Sequence, residues 1–421
     1  MEANDPRKKS WIDIESSSDF SIQNLPFGIF SNNGNPKRVG VAIGDYVLDL
    51  AALYDLGFLD LGKYARSHFE SEYLNCMMKI GKQGTTELRN RISHLLSTDC
   101  DDLKLSTKKD VFLHKQESVT MHLPVEIGDY TDFYSSQDHA RNVGTMFRDP
   151  DNALLPNWKH IPVGYHGRSS SIVLSGEPIH RPKGQMKPKD QTEPSFGPCK
   201  LLDFELEMAF VTFNGKPMGQ SISTGEAEDY IFGMVIFNDW SARDIQTWEY
   251  VPLGPFLAKN FASSISPWIV TMDALEPFKV AGSNQEPKVF PYLEFDGNKN
   301  IDINLEVLIE PEGQEATCVS NSNYKYMYWN YAQQLAHHTI NGCPIRVGDM
   351  MASGTISGPV PASYGSMLEI SWRGTKPVSM NDGSERKFIQ DHDSVIMRAY
   401  SEKNGVRVGF GEVNSKVLPA S

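Results

Sequence analysis

Short apolar runs separated by glycine and proline recur from about residue 121 to the end of the chain, and this pattern constrains the fold more than any other feature. Examples are SIVLSG, LLDFELEMAFV, YIFGMVIFND and NLEVLIE. Runs this short, bounded by turn residues, are typical of β-strands, whereas a helix needs a longer periodic stretch. The 33 glycines and 25 prolines supply the turns. The sequence therefore predicts a mainly β fold.

The N-terminal part has a strand pattern of its own. Residues 27–50 contain three β-rich stretches separated by Asn-Asn-Gly-Asn-Pro and Ile-Gly-Asp, which predicts a meander of three strands. A length of 421 residues allows about two or three domains. We place one boundary close to residue 120, which divides the chain into an N-terminal domain, 1–120, and a C-terminal domain, 121–421.

Two helices and one loop stand out from this β pattern. Leucine and isoleucine at helical spacing follow Thr85 and Thr86, either of which could cap a helix. Good helix formers run from Trp329 to Ile340 and end at Asn-Gly. The stretch 182–198 is rich in proline, lysine and glycine and predicts a surface loop.

Charge and composition exclude several classes of protein. The chain has 53 acidic and 40 basic residues, a net charge of -13 that would repel nucleic-acid phosphates and anionic membranes. The longest run without polar residues, Tyr230–Phe237, suits a buried strand and is too short to span a bilayer. The 5 cysteines form no CxxC pair and the N-terminus has no signal-peptide core, so we expect a cytoplasmic protein.

Three acids alternate with apolar residues in LLDFELEMAF. Strict alternation would place Asp203, Glu205 and Glu207 on one face of a strand. One interpretation is the solvent face of an edge strand. The other is a cation site, because carboxylates crowded among apolar residues need a neutralising charge. Carboxylate oxygens without histidine or cysteine favour Ca²⁺ or Mg²⁺.

Two further segments combine polar groups that could carry chemistry. The segment FNDWSARDIQTWEYVPLGPFLAKNF contains Asp239, Arg243, Gln246, Tyr250 and Lys259. Asp239 could also cap a helix beginning at Trp240. The loop-like segment GDYTDFYSSQDHARNVGTMFR contains Asp132, Tyr134, His139 and Arg148. His139 is either a base or a structural histidine.

These segments, together with ALLPNWKHIPVGYHGRSSS and ASGTISGP, resemble the fumarylacetoacetate hydrolase family. The resemblance extends from about Asp19 to Val417, and the shared order and spacing of the motifs make it specific. It implies a small Src-homology-3-like β-barrel followed by a larger mixed β-roll catalytic domain, assembled as a homodimer. The implied activity is hydrolysis of the carbon-carbon bond of 4-fumarylacetoacetate to fumarate and acetoacetate, the last step of tyrosine and phenylalanine breakdown.

The resemblance also implies which residues form the site. The divalent ion, usually Ca²⁺, would bind Asp132, Glu205, Glu207 and Asp239. The base would be His139, oriented by Glu369 in SMLEISW. Substrate contacts would come from Tyr134, Arg148, Tyr165, Gln246, Tyr250 and Thr355. Donors to the developing anion would come from Arg243, Gln246 and Lys259.

A second ion, Mg²⁺, is implied beside Asp239, Lys259 and Ser263. A lysine ammonium cannot bind a cation, so a contact from Lys259 would use its main-chain carbonyl. The family carries threonine where this chain has Ser263, and a smaller residue where it has Asn260. The hydroxyl is kept, so the second site is expected with altered detail.

Two other functions compete with this interpretation. An acylpyruvate hydrolase or an oxaloacetate decarboxylase of the same superfamily would share the metal-binding acids, but the long N-terminal domain argues against both. A non-catalytic calcium-binding protein would use the same acidic pocket. That alternative leaves the pair of His139 and Glu369 without a purpose. Measuring which substrate the protein turns over, if any, distinguishes these three functions.

Overall fold

The N-terminal domain is a five-stranded antiparallel sheet with five helices. The computed structural model describes residues 2–32, 34 and 36–421. The strands are β1 Phe27–Ser31, β2 Arg38–Ile43, β3 Tyr46–Asp49, β4 Leu113–Lys115 and β5 Thr120–His122. The helices are α1 Leu50–Asp55, α2 Asn75–Met78, α3 Gly81–Leu95, α4 Asp101–Lys104 and α5 Lys109–Phe112. The sheet order β4-β3-β2-β1-β5 confirms the predicted meander as β1–β3; Asn33 and Asn35, in its first turn, lie outside the described residues.

Helix α3 begins earlier than the sequence predicts, so the expectation that Thr85 or Thr86 caps it is wrong. Both threonines lie inside the helix, where Thr85 Oγ1 donates to Gly81 O at 3.1 Å and Thr86 Oγ1 to Lys82 O at 2.9 Å. Gly81, the first residue of α3, has φ +77°, a conformation that favours glycine. The backbone at this glycine therefore sets the start of the helix.

The C-terminal part contains two large sheets and four two-stranded ribbons. Its strands are β6 Tyr130–Phe133, β7 Gly164–His166, β8 Ile172–Leu174, β9 Ile179–His180, β10 Lys183–Met186, β11 Ser195–Pro198, β12 Leu202–Asp203, β13 Leu206–Thr212, β14 Ile231–Asp239, β15 Ser241–Ala242, β16 Ser263–Ile265, β17 Val270–Thr271, β18 Lys279–Val280, β19 Asn300–Ile301, β20 Asn304–Glu310, β21 Thr317–Asn323, β22 Met350–Ala352, β23 Val378–Ser379, β24 Glu385–Arg386, β25 Ser394–Lys403 and β26 Val406–Leu418. The main sheet has the order β7-β6-β22-β13-β14-β16-β8, with β17 also paired to β14. The second has the order β21-β20-β25-β26-β9.

The α-helices of this part are α6 Gln137–Phe147, α7 Arg243–Glu249, α8 Met272–Leu275, α9 Tyr331–Thr339 and α10 Met367–Ile370. The prediction that the segment around His139 is loop-like is wrong. His139 lies in the first turn of α6, which is capped by Ser136. The predicted helix at Trp329–Ile340 is confirmed as α9. Its cap is Asn330, which accepts from the backbone of Ala332 and Gln333.

The predicted surface loop 182–198 is instead an exposed ribbon of β10 and β11. Its strands pair Gly184 with Gly197. A Cβ at Gly184 would lie 2.7 Å from the Cδ1 of Ile245, so the glycine lets the ribbon pack closely on α7. Composition indicated correctly that the stretch is exposed, but not that it pairs.

The two parts of the chain share one apolar core. Phe27 forms a β-bridge with Ile269 and its ring lies 5.8 Å from that of Phe232. The buried run predicted at Tyr230–Phe237 is confirmed as β14, which is buried along its whole length. The mainly β fold with a small N-terminal and a larger C-terminal domain is thereby confirmed, while the boundary at residue 120 stays a prediction. No helix in the described part of the chain is long and apolar enough to cross a membrane.

Replacing Glu228 with glutamine should lower the free energy of unfolding at pH 7 by about 2 kcal/mol. Glu228 accepts from Lys279 at 2.7 Å and Lys299 at 2.6 Å. Burial alone would raise its pKa, but these lysines lower it to about 2. A carboxyl group whose folded pKa is lowered contributes stability above its unfolded pKa, and this is lost as the pH falls from about 4.5 to about 2.

Urea unfolding between pH 7 and pH 2 checks this expectation. The variant should show a shallower acid slope than the wild type, and Glu310→Gln, at the end of β20, serves as the control. Equal slopes in Glu228→Gln and the wild type would contradict it.

Candidate active site

The main sheet brings three acids to one place. Asp132 pairs with Ala352 of β22 in parallel register, and Ala352 pairs with Ala209 two residues beyond Glu207 on β13. Asp239 is the last residue of the neighbouring strand β14. One oxygen from each of Asp132, Glu207 and Asp239 lies within 4.8 Å of the others, and all three residues are buried. We call these residues the acidic triad.

The triad is short of positive charge. Asp132 Oδ1 and Glu207 Oε1 are buried and accept no hydrogen bond from any described residue. Burial and the charge of Asp239 raise the pKa of Asp132 well above its ordinary value. Burial and the charge of Asp132 do the same for the pKa of Glu207. Unpaired hard oxygens that repel one another suit a divalent cation such as Ca²⁺ or Mg²⁺.

Glu205, the fourth expected metal ligand, forms ion pairs with two basic residues. Arg243 Nη1 donates to Glu205 Oε1 at 2.8 Å, and Lys259 Nζ donates to Oε2. Burial alone would raise the pKa of Glu205, but Lys259 and Arg243 lower it below its ordinary value. Among the described residues, three acids therefore converge, and two of them, Asp132 and Glu207, each keep one oxygen without a partner. The role of Glu205 as a fourth ligand stays a prediction.

The residues of the expected second ion site surround Asp239. Lys259 Nζ donates to Asp239 Oδ2 at 2.6 Å and Ser263 Oγ donates to Oδ1 at 3.0 Å. The ammonium group of Lys259 supplies a positive charge to Asp239, and a cation at the expected second site would contact Lys259 through its main-chain carbonyl. Asp239 does not cap a helix at Trp240, as the sequence allowed, because it ends β14 and α7 begins at Arg243.

Two tyrosines contact the triad. Tyr165 OH lies 3.1 Å from Asp132 Oδ2 and 3.0 Å from Asp239 Oδ2. Tyr130 OH donates to Asp132 Oδ2 at 2.9 Å. Tyr130 is not among the residues predicted from the sequence, although it precedes Asp132 by two positions on β6 and so points the same way. Gly167 makes room for it, since a Cβ there would lie 2.1 Å from the Tyr130 ring.

His139 and Glu369 form a buried pair, as expected from the resemblance. His139 Nδ1 lies 2.7 Å from Glu369 Oε2. The ring of Tyr134 lies 5.2 Å from the His139 ring in an edge-on arrangement. Burial alone would raise the pKa of Glu369, but His139 and neighbouring side-chain donors lower it. An ionised Glu369 favours a proton on Nδ1 and leaves Nε2 as the basic nitrogen.

Arg243 connects the acids of LLDFELEMAF to α10. Its Nε donates to Asp203 Oδ2 at 2.8 Å, and its Nη1 contacts Gln246 Oε1 at 3.4 Å. Asp203 also accepts from the backbone N of Met367 at 2.7 Å, in the first turn of α10. Alternation marked Asp203 but assigned it no role, and its structural role appears only in the fold. Arg243 Nη2 is buried without a partner among the described residues.

The acids of LLDFELEMAF do not lie on an exposed face. Asp203, Glu205 and Glu207 are 0%, 6% and 0% exposed, which excludes the edge-strand interpretation. Strict alternation is also interrupted, because β12 ends at Asp203 and β13 begins at Leu206.

The remaining substrate-contact candidates differ in position. Thr355 is buried and follows Gly354, whose N donates to Glu207 Oε2 at 3.0 Å. Arg148 is exposed, and its Nη2 donates to Ala153 O at 2.6 Å. Tyr250 is also exposed, at the end of α7. The structure thus brings Thr355 to the triad, whereas Arg148 and Tyr250 lie at the surface.

Family models and known sequences match nearly the whole chain. A model described as fumarylacetoacetate hydrolase, C-terminal, matches residues 129–417, and one described as fumarylacetoacetase, N-terminal, matches residues 23–124. The chain is 53% identical to the fumarylacetoacetase of Homo sapiens over 98% of this chain and 99% of that protein. It is 52% identical to the fumarylacetoacetase of Dictyostelium discoideum, over 98% of this chain and 98% of that protein. It is 53% identical to that of Caenorhabditis elegans, over 98% of this chain and 99% of that protein.

Solved structures share the fold at lower identity. A fumarylacetoacetate hydrolase from Exiguobacterium antarcticum superposes with a TM-score of 0.53 at 18% identity, covering 94% of this chain and 99% of that chain. A maleylpyruvate hydrolase from Sphingobium sp. SYK-6, solved in complex with manganese (II) ion and pyruvate, has a TM-score of 0.50 at 13% identity, covering 94% of this chain and 100% of that chain.

Proposed function

The chain belongs to the fumarylacetoacetase family and hydrolyses fumarylacetoacetate to fumarate and acetoacetate, and from this premise we propose that the acidic triad holds a divalent cation and that His139 is the base. The observation that carries the proposal is the buried triad, with two unpaired carboxylate oxygens, close to the pair of His139 and Glu369. Glu205, two residues before Glu207, forms a β-bridge with Ser366, whose hydroxyl group donates to Glu369. The manganese ion of the maleylpyruvate hydrolase with this fold supports a divalent ion. The two superfamily alternatives are not favoured, because the full-length relatives are fumarylacetoacetases.

The metal assignment follows from the chemistry of the donors. Asp132, Glu207 and Asp239 would hold the ion, and Glu205 is proposed as the fourth ligand. We propose Ca²⁺ first, and Mg²⁺ beside Asp239, Lys259 and Ser263. When bound, a divalent ion supplies Lewis acidity toward the two oxygens of a β-diketone. Tyr165 and Tyr130 keep the carboxylate of Asp132 in place through their hydroxyl groups.

The protein's own groups handle the proton. His139 Nε2 takes a proton from water while Glu369 retains the hydrogen bond to Nδ1. The water oxygen then bonds to the carbonyl carbon on the fumaryl side. The carbon-carbon bond breaks, its electron pair passes to acetoacetate as an enolate, and that enolate takes up a proton. The new carboxylate is fumarate.

Three donors are proposed to stabilise the negative charge that develops during the reaction. Arg243 Nη2 is buried and free to donate, and Gln246 lies beside the same guanidinium. Burial alone would lower the pKa of Lys259, but Asp239 and Glu205 raise it above its ordinary value, so it stays charged. One such donor contributes about 3 kcal/mol to transition-state stabilisation in other enzymes. Tyr134, Arg148, Tyr165, Tyr250 and Thr355 are proposed to bind the substrate itself.

We also propose a cytoplasmic homodimer. The segment after α7 exposes the apolar side chains of Val251, Leu253 and Phe256, and Leu253 is 97% exposed. A patch of this kind on one copy suits a contact between subunits. All five cysteines are free, which suits a reducing compartment.

The proposal is tested by following the loss of fumarylacetoacetate absorbance with the purified protein. We expect turnover with Ca²⁺ or Mg²⁺, at least about 100-fold less after chelation, and recovery when the ion is returned. An acylpyruvate serves as the substrate control. Turnover that is insensitive to chelation in a protein shown to be metal-free would contradict the metal assignment.

A further inference from the structure

Glu369 is held by more groups than the pairing with His139 requires. Its side chain is fully buried, and four side chains donate to or contact its two oxygens. Oε2 accepts from His139 at 2.7 Å and from Ser366 Oγ at 2.8 Å, while Oε1 accepts from Asn142 Nδ2 at 2.9 Å. Ser357 Oγ lies 2.9 Å from both oxygens. The carboxylate therefore has little freedom to rotate.

Ser357 contacts three other parts of the chain: helix α10, the segment at Gly365 and the start of α6. Its hydroxyl group donates to Glu369 in α10 and accepts from Gly365 N at 2.9 Å. Its main-chain O accepts from Ser136 Oγ at 3.0 Å, and Ser136 caps the helix that carries His139. The residue is 0% exposed. Ser357 thus sets the position of the Glu369 carboxylate relative to the start of α6.

Asn142 holds the same carboxylate from the helix side. It lies three positions after His139 on α6, so both side chains project from one face. His139 holds one carboxylate oxygen of Glu369 and Asn142 holds the other. The plane of the carboxylate is therefore set by two residues of a single helix.

We propose that Ser357 and Asn142 are positioning residues that keep Glu369 ionised and aimed at His139 Nδ1. Neutral donors spread the negative charge of a carboxylate and reduce its affinity for protons. Glu369 then orients His139 without taking the Nδ1 proton during the reaction. The inference rests on the proposed role of His139 as the base.

The direction of the expected effect follows from the loss of one donor. In Ser357→Ala and Asn142→Ala, Glu369 binds the Nδ1 proton more strongly, which favours the protonated form of His139. The acid limb of the pH profile of kcat/KM should move to higher pH by about half a pH unit to one pH unit. At the plateau, kcat should fall about tenfold. A residue that only stabilises the fold would leave the limb in place.

The experiment measures kcat/KM of the metal-loaded enzyme from pH 5 to pH 9. Ser371→Ala is the matched control, because Ser371 is also buried but its hydroxyl donates to Met367 O at 2.7 Å, next to α10, and not to Glu369. Its profile should equal the wild type. Thermal unfolding checks that each variant is folded, and the partly buried Asn142 carries the test if Ser357→Ala does not fold.

A double-mutant cycle with Glu369→Gln separates a role through Glu369 from an independent one. We expect Ser357→Ala to cause little further loss in that background. The inference would be overturned if the losses in kcat/KM of the two single variants multiply in the double variant. It would also be overturned if the acid limb stays at the same pH or moves to lower pH in both Ser357→Ala and Asn142→Ala. His139→Ala is measured alongside: if it retains activity, the proposed base is wrong, and if it is inactive, an unmoved limb counts against the positioning residues alone.

Discussion

Replacing His139 with alanine should lower kcat by about 10² to 10⁴-fold, the usual contribution of a general base. The imidazole is buried, and its Nδ1 lies 2.7 Å from Glu369. KM should change little, because the side chain acts on water rather than on the substrate. Metal content should equal that of the wild type, since His139 does not belong to the acidic triad.

Rate measurements with matched metal analysis check this result. His94→Ala is the control, because His94 is an exposed histidine on α3 of the N-terminal domain. Loss of His139 removes one donor to a buried carboxylate and costs about 1–3 kcal/mol of stability, so thermal unfolding must show a folded variant. Activity close to that of the wild type would remove His139 as the base.

Replacing Glu207 with glutamine should weaken divalent-ion binding by about 100-fold or more. The glutamine carbonyl can still accept from Gly354 N, as Glu207 Oε2 does at 3.0 Å. Its NH₂ group then replaces the unpaired, buried Oε1. The triad loses one of its three charges and one of its three ligands.

The same substitution should make the metal-free protein more stable. The pKa of Glu207 is raised well above its ordinary value by burial and by Asp132. A carboxyl group with a raised folded pKa contributes stability below its unfolded pKa of about 4.5, and this is lost as the pH rises toward the folded pKa. In chelator, the wild type should therefore lose stability over this range, and Glu207→Gln should lose less.

Calorimetric titration with Ca²⁺ and Mg²⁺ measures the affinity, and thermal unfolding in chelator measures the stability. Glu310→Gln removes a carboxylate from β20, outside the triad, and should change neither quantity. Binding by Glu207→Gln as tight as that by the wild type would show that the triad does not hold the ion.

Local patterns predicted much of the fold. The meander of β1–β3, the buried strand β14 and the helix α9 depend on neighbours in the chain, and all three are confirmed. Two predictions were wrong: the start of α3 at Thr85 or Thr86, and a loop where the chain forms the ribbon of β10 and β11. In both cases a glycine decided the outcome: Gly81 through its backbone and Gly184 through its contact with α7. Such contacts are not encoded in local propensity.

The chemistry of the site was visible in the sequence, but its arrangement was not. The residue types and their order identified the acids, the histidine and the family, because side-chain chemistry is a property of each residue. Which acids remain unpaired was decided by tertiary structure: Lys259 and Arg243 reach Glu205 and leave Asp132 and Glu207 with free oxygens. The hydrogen bonds of Ser357 and Asn142 to Glu369 were likewise hidden, since they span 12 and 227 positions of the chain. Contacts at such separations depend on how strands and helices pack, and this is what the fold alone supplies.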